Sequence, residues 1–432
     1  MNLLSHRSLL LLLAILPGPL LCADPLPEPL TLEAALSSAD NPAHFELLDI
    51  DQRLQALRAE LGITSSYQDF RLDLTGRIRE VGLSDEAPDD DDSGDSAASL
   101  ILSKPIYDFG LQDSRESRIG LQLEALALQK RLLIEQRRLD ILEKYLAVLD
   151  ADNQFLSENE ALAIGFIRYD NAREDQELGA TAEIEVLRLQ SAYETIRRKR
   201  NLAEQQQRLQ RSILAEAMGY PGQLASNLEI PVINNTRALP DDYEALVTRA
   251  LQTSLEALVA LANTRAAHAA IQIAEAANGP TLDLELEVST YERETRTRDD
   301  WRAGLYIEIP LYRGSSAATV NRATAHYRRS LAQQQQLQSH LRVEVLKLWQ
   351  QLQQLQLEIE GRSIEQDYRD RYLDRSRAEY ELEFKSDLGD SLVLYSRSNR
   401  DRLHALYAFE TAYQRLAALV GEEYLQALTP PQ

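Results

Sequence analysis

The hydrophobic pattern changes period along the chain, and does so twice in the same order. From Phe45 to about Leu61 apolar residues return every three or four positions, through Leu48, Ile50, Leu54 and Leu57, which predicts an amphipathic helix. From Ser65 the period becomes two. Phe70, Leu72, Leu74 and Ile78 fall on one side, and Arg71, Asp73, Thr75, Arg77 and Arg79 on the other, as in a strand with one apolar and one charged face. A second strand over 98–104 leads into Pro105-Ile-Tyr107-Asp-Phe-Gly110, and no further proline occurs until Pro221. Within that stretch Leu128, Leu132, Leu139, Leu142, Leu146 and Leu149 mark a coiled-coil seam. The helical pattern runs to about 172, restarts after Gly179-Ala-Thr181 and ends at Met218. It predicts a helical hairpin whose first arm, of roughly 60 residues, extends about 90 Å.

The order then repeats. Helical spacing runs over 243–277 and breaks at Gly279-Pro280. Leu282, Leu284, Leu286 and Val288 alternate with Asp283, Glu285, Glu287 and Ser289, and Trp301, Ala303, Leu305, Ile307 and Ile309 line the returning strand. Pro310, Tyr312 and Gly314 repeat the corner made by Pro105, Tyr107 and Gly110. Proline suits a strand end, where its missing N–H costs no ladder bond, and glycine permits the sharp change of direction. A second seam follows at Leu337, Leu341, Val345, Leu348, Leu352 and Leu355, with a break around 381–391 and helix to about Val420. The expected fold is mixed α+β with two internal repeats, each a β-hairpin followed by a long helical hairpin. The expected boundaries are a signal peptide over 1–23, a first repeat over 24–219, a linker over 220–240, a second repeat over 241–420 and a tail over 421–432. Strands are expected over about 65–83, 98–105, 281–293 and 301–310, and long helices over about 111–172, 180–218, 315–380 and 390–420. Thr31 is placed to cap a short helix ahead of Asn41-Pro42.

Charge and cysteine usage narrow the class. The net charge of −22 over 432 residues argues against a nucleic-acid binder. It fits a soluble protein or a channel for cations. Leu9 to Leu16 is an apolar run too short to span a bilayer, broken by Pro17-Gly-Pro19, so the N-terminus reads as a secretory signal cut after Ala23. Cys22 is the sole cysteine, and lipidation there is the alternative, against which stands Leu21 where such sites want a small residue. Cleavage after Ala23 leaves no thiol for disulfides or thiolate metal sites. No later stretch resembles a transmembrane helix, so any spanning falls to strands.

The acidic stretch Asp85 to Asp95 reads as a hairpin loop. A calcium loop starting at Asp89 would want Glu where Leu100 stands. Glu294 to Asp300 is the matching loop. The six histidines are scattered, and His268 and His404 read as packed or solvated rather than as ligands. No phosphate-cradling loop or nucleophile elbow is present. The expectation is no enzyme, no cofactor and no metal site.

Four amphipathic strands leave free edges, and edges cannot face lipid. Membrane barrels use even strand numbers from eight upward, so several chains are needed. The charged faces suit a wet lumen and favour three chains and twelve strands. Tyr67, Tyr291 and Trp301 are candidates for an interfacial aromatic girdle. The alternative is a periplasmic coiled-coil adaptor or structural interaction protein with a small soluble sheet, which would cover its apolar face with core helices.

These features together resemble the outer-membrane efflux protein (TolC-like) family. The resemblance rests on the doubled strand–Pro-x-Tyr–Gly–helix corner, the paired long hairpins, Leu30-Thr-Leu-Glu-Ala-Ala-Leu with Asn41-Pro42, and Glu177-Leu-Gly-Ala-Thr-Ala-Glu183 at the far tip. It covers nearly the whole mature chain. It implies a homotrimer in the outer membrane of a Gram-negative bacterium, with a twelve-stranded barrel continued by a periplasmic helical tunnel. It also implies partnership with a periplasmic adaptor and an inner-membrane pump, as the exit duct of a tripartite efflux or type I secretion system. The adaptor-contact tips it implies are Glu177, Leu178, Gly179 and Thr181 in the first hairpin, and Glu381, Glu383, Lys385 and Ser386 in the second. The gate it implies is Asp387 with Asp390. Three departures stand out. Glu383 occupies the place of Gly179, Thr253-Ser254 stands near where a second-half counterpart of Asn41-Pro42 would be, and Gly389 stands where a carboxylate is common.

Overall fold

The computed structural model describes residues 26, 28–81, 94–223, 226–233, 237, 239–240, 242–293, 298–382 and 387–428. The expected signal peptide with Cys22, most of the acidic loop, part of the loop over 294–300, and Glu383, Lys385 and Ser386 lie outside these residues.

The chain is mostly helical with one small antiparallel sheet. Its elements in order are α1 (Leu32–Ser37), α2 (Phe45–Ser65), β1 (Arg71–Arg77), β2 (Ala97–Tyr107), α3 (Leu111–Glu177), α4 (Glu183–Met218), α5 (Tyr243–Thr253), α6 (Leu255–Ala276), β3 (Thr281–Tyr291), β4 (Trp301–Glu308), α7 (Ser316–Glu381), α8 (Leu388–Val420) and α9 (Glu422–Leu428). Helix α3 has 67 residues, about 100 Å at about 1.5 Å per residue.

Local chemistry sets the helix ends. The Thr31 hydroxyl accepts from Ala34 N (3.1 Å) and caps α1. Ser254 does the same for α6, accepting from Ala257 N (3.2 Å). Gly179 ends the first long helix in the left-handed region at φ 76, with Ala180 N donating back to Asp175 O (2.8 Å).

The sheet runs β1-β2-β3-β4, every pair antiparallel. Toward the sheet, α3 lies between α2 and α6, and α6 packs on α7. Toward the tips the order is α4, α3, α8, α7. Two buried clusters form a belt midway. One gathers Ile141, Tyr145, Leu149, Leu214 and Met218, the other Leu246, Val345, Leu352, Phe409 and Leu416. Five of the six second-seam positions, Leu341, Val345, Leu348, Leu352 and Leu355, are buried. Tyr145 donates to Leu30 O (2.8 Å) and Glu229 O (2.6 Å), so one phenol ties the N-terminal segment to the linker, and burial pushes its pKa up to about 12.

Several element ends differ from the periodicity. The first strand was expected from about 65 to 83. Helix α2 instead continues to Ser65, where the Ser65 and Ser66 hydroxyls bond back to Gly62 O (3.1 Å) and Ile63 O (2.8 Å). The ladder then runs from Arg71 to Arg77, opposite Ala97, and an isolated bridge between Glu80 and Gly94, with Asp95 N donating to Arg79 O (2.7 Å), continues the hairpin beyond it. The first long helix passes 172 and reaches Glu177, and its partner starts at Glu183. The tail after 421 is not extended: Glu422–Leu428 forms α9, with Leu425 buried in the second belt cluster.

Candidate functional site

The register sorts the sheet into two faces. Cross-strand partners Leu72↔Leu102, Leu74↔Leu100, Leu102↔Leu286, Leu100↔Val288, Leu284↔Leu305, Leu282↔Ile307 and Val288↔Trp301 stand on one face. Thr75↔Ser99, Asp73↔Ile101, Ser99↔Ser289 and Glu287↔Arg302 stand on the other. On that second face Ser289 Oγ donates to Glu287 Oε1 (2.7 Å), Arg302 Nε to Glu287 Oε2 (2.6 Å) and Arg71 Nε to Asp73 Oδ2 (2.9 Å). Much of the apolar face is exposed, although Leu102, Leu282 and Leu284 on the inner strands are part-buried. Leu74 is 78 % exposed, Leu305 65 % and Trp301 70 %, and the helices pack on one another rather than on it. Strands β1 and β4 are open edges within one chain.

At the hairpin ends, beyond the strands, Asp95 is enclosed by Arg298 and Arg79, the latter donating from Nε at 2.6 Å. These hydrogen bonds hold its pKa at about 2. Trp301 stands on the apolar face as a girdle residue should. Tyr291 does not, because its odd register places it with Ser289 on the polar face, beneath Arg298 (5.0 Å to the ring). Tyr67 lies in the short turn before β1, exposed, with Arg115 above its ring (6.0 Å).

The two corners are not geometrically equal. Gly110 is left-handed at φ 76 and starts α3, with Pro105 and Tyr107 flanking a bulge at the end of β2. Gly314 takes no positive φ, and Pro310 and Tyr312 follow β4, with Tyr312 88 % exposed. Both corners dock on the turn between α6 and β3, through residues the periodicity does not single out. Phe109, itself at φ 57, packs so closely on Gly279 that an added Cβ would lie 2.4 Å from its own Cβ. Arg313 Nη1 donates to Ala277 O (2.8 Å). Nothing in the local pattern marks these contacts beyond the Gly279-Pro280 break.

At the tips, Leu178 and Gly179 form an exposed turn, and Glu381 and Leu382 end α7. Asp387 and Asp390, expected to share a helix face, have different settings. Asp387 is the residue before α8, exposed and with no side-chain cap bond. Asp390 pairs with Arg168 of α3 at 2.6 Å. Gly389 lets α8 approach α3, since a Cβ there would meet Ile164 at 2.8 Å. A carboxylate at 389 has no room in this packing.

In the belt, where α4 ends against the start of α2, the buried Arg137 donates to Ala39 O (3.1 Å) and Glu46 Oε2 (3.2 Å) and contacts His44. Burial, then the Arg137 charge, holds the His44 pKa below its ordinary value. Among the described residues no three His, Cys, Asp or Glu side chains gather as metal ligands.

No family model matches the chain, and no curated protein does. Solved structures do. The chain is similar to CusC, in crystal structures concerned with its folding and transmembrane channel formation, with a TM-score of 0.74 and 18 % identity over 90 % of this chain and 92 % of that one. It is similar to the outer membrane protein VceC of Vibrio cholerae (TM-score 0.70, 17 % identity, 90 % and 96 % covered). It is also similar to the CmeC outer membrane channel of Campylobacter jejuni (0.71, 14 %, 90 % and 85 %). The likeness spans the sheet and the helices together, and the chain thus has the fold of the TolC-like outer-membrane channels that its sequence resembles.

Proposed function

We propose that the chain is the outer-membrane exit duct of a tripartite efflux or secretion system. Three copies would close a twelve-stranded barrel in the outer membrane and continue it as a helical tunnel through the periplasm. The tips at 177–181 and 381–386 would meet a periplasmic adaptor that links the duct to an inner-membrane pump. The observation that carries this reading is the largely exposed apolar face, continuous across four strands, joined to two open edges. A soluble adaptor would bury that face, and no helix among the described residues packs across it.

The helices carry matching edges for ring closure. Helices α4 and α7 flank the tip half and expose Leu202 and Leu209 on one side, Leu357 and Ile364 on the other. Intrachain pairs set their levels: Arg200–Asn159 (3.5 Å), Arg400–Gln154 (2.8 Å) and Arg362–Asp401 (3.8 Å). Counting along the helices from these pairs brings Leu202 beside Ile364, Leu209 beside Leu357, and the basic run 197–200 beside Asp367 and Asp370 of a neighbouring copy. Lys199, Asp367 and Asp370 are exposed and have no ion-pair partner in their own chain among the described residues. Leu202→Cys combined with Ile364→Cys should therefore give a three-chain disulfide product under mild oxidation, which neither single variant gives. A chain that stays monomeric in detergent and uncrosslinked would sink the closed-ring reading.

The same assembly gathers three copies of Asp387 and Asp390 at the periplasmic entrance. Rings of carboxylates select cations and hold divalent ions. Asp387, whose carboxylate has no partner among the described residues, is the divalent ligand in this proposal, and the Asp390–Arg168 pair holds α8 against α3. The pair is half exposed and worth about 0–1 kcal/mol. Asp390→Asn should raise the open probability in planar bilayers by at most about fivefold. Asp387→Asn should weaken block by divalent cations. If the acids serve only the start of α8, conductance and block stay unchanged while stability falls slightly.

A further inference from the structure

The apolar face carries one cation where the pattern calls for an apolar residue. Lys104 follows Leu100 and Leu102 on that face and pairs with Leu284 of β3. Extending the β1–β2 register by one step places Phe70 opposite it, and the Lys104 ammonium lies 4.5 Å from the centre of the Phe70 ring. Three residues before Phe70, the Tyr67 ring lies under Arg115 of α3. Arg118, one turn further along α3, has an Nε shielded from solvent without a hydrogen-bond partner.

None of these three cations is ion-paired to a carboxylate among the described residues, in a chain of net charge −22. Of the acids near Arg115 in sequence, Glu116 Oε1 accepts from Gln112 Nε2 (3.2 Å) and Asp108 Oδ2 from Gln112 N (2.7 Å), while the exposed Asp113 makes no ion pair with Arg115 among the described residues. The cations lie at the helix end of the sheet, where the proposed barrel leaves the bilayer on the periplasmic side. A charge on a lipid-facing surface is costly unless its head reaches the interface and finds a counter-ion. Phe70, 62 % exposed, and the half-exposed Tyr67 offer ring faces beside the cations, as side chains at the headgroup level do.

We infer that Lys104 and Arg115, over Phe70 and Tyr67, form a binding site for the phosphodiester headgroup of a glycerophospholipid in the periplasmic leaflet. The lysine supplies a point charge and the guanidinium a planar pair of donors to the phosphate oxygens. The acyl chains follow Leu102, Leu286 and Leu100 up the apolar face. This site rests on the barrel reading above.

Native mass spectrometry of the detergent-solubilised, delipidated full chain tests it. The probes are phosphatidylglycerol, diacylglycerol with the same acyl chains, and inorganic phosphate. Wild type should retain phosphatidylglycerol at least tenfold better than diacylglycerol. Lys104→Met with Arg115→Gln should lose that preference while still fractionating with outer membranes. Phe70→Leu, which keeps an apolar side chain, should weaken it several-fold. Equal retention of phosphatidylglycerol by wild type and the double variant overturns the site. So does displacement of the lipid by millimolar inorganic phosphate, which would make it a simple anion site. If wild type itself is absent from the outer membrane, the barrel reading fails, which is a separate result.

Discussion

Leu74→Arg and Leu305→Arg are each expected to keep the chain out of the outer membrane. Both leucines lie on the apolar face and are largely exposed within the chain: Leu74 pairs with Leu100 nearer the middle of the sheet, and Leu305 pairs with Leu284 in the row of Lys104, nearer the helix end, so its arginine should have the smaller effect of the two. If lipid covers that face, an arginine near the bilayer midplane costs about 2–4 kcal/mol per copy. A threefold assembly carries the cost three times, which exceeds or rivals the stability of an ordinary domain. Thr75→Arg is the control. Thr75 is the next residue along β1, on the polar face opposite Ser99, so the same charge there should leave assembly intact. The measurement is the amount of each variant recovered from outer membranes with detergent. Equal recovery of all three variants would falsify a lipid-facing surface. A soluble protein with this sheet would instead tolerate Leu74→Arg and gain solubility from it.

Gly279→Ala should have the largest effect of any single methyl group. The new Cβ would lie 2.3 Å from Phe109 Cδ1 and 2.4 Å from Phe109 Cβ. A rotamer change relieves the first contact but not the second, because a Cβ moves only with its backbone. That backbone is already constrained, with Phe109 at φ 57 and Gly110 at φ 76. The cost should reach the upper part of the about 1–3 kcal/mol seen for overpacking, read as a lower midpoint in denaturant unfolding. Phe109→Gly removes both the blocking Cβ and the strained φ. The double variant should therefore recover much of the loss, with a coupling of about 1–2 kcal/mol. Additive effects in the double variant would show that the corner does not rest on Gly279. This contact joins the sheet to the long helices.

Other contacts at this boundary follow the same logic. Arg313 reaches Ala277 O from the second corner, so both corners lean on one turn although they differ in backbone geometry. The Pro-x-Tyr–Gly pattern made them look alike. The structure separates them, because β2 is an inner strand held on both sides and β4 is an edge. An inner strand must bend within its ladder, and it does so through the bulge at Pro105 and the left-handed Gly110. The edge strand ends freely, and Gly314 needs no unusual φ.

The letters alone missed α9 and the break at Ser254 that divides α5 from α6, but gave most element types, their order and the two faces of each strand. Those properties are local. An alternation such as Leu282 to Ser289 has only one way to lie in a pleated strand, and a proline-free leucine seam such as Leu341 to Leu355 has only one stripe to bury. Lys104 stands in the letters too, but its place over the Phe70 ring, with no ion pair among the described residues, does not. Tertiary structure alone decided which residues meet across long separations: Phe109 with Gly279, Arg168 with Asp390, Arg137 with the end of α4, Tyr145 with Leu30 and Glu229. It also gave Asp387 and Asp390 different surroundings, although both stand as gate candidates in the sequence. Register and helix levels cause these outcomes. They are set by the summed packing of two helices of 67 and 66 residues, in which a shift of one residue changes every partner and no local period records the choice.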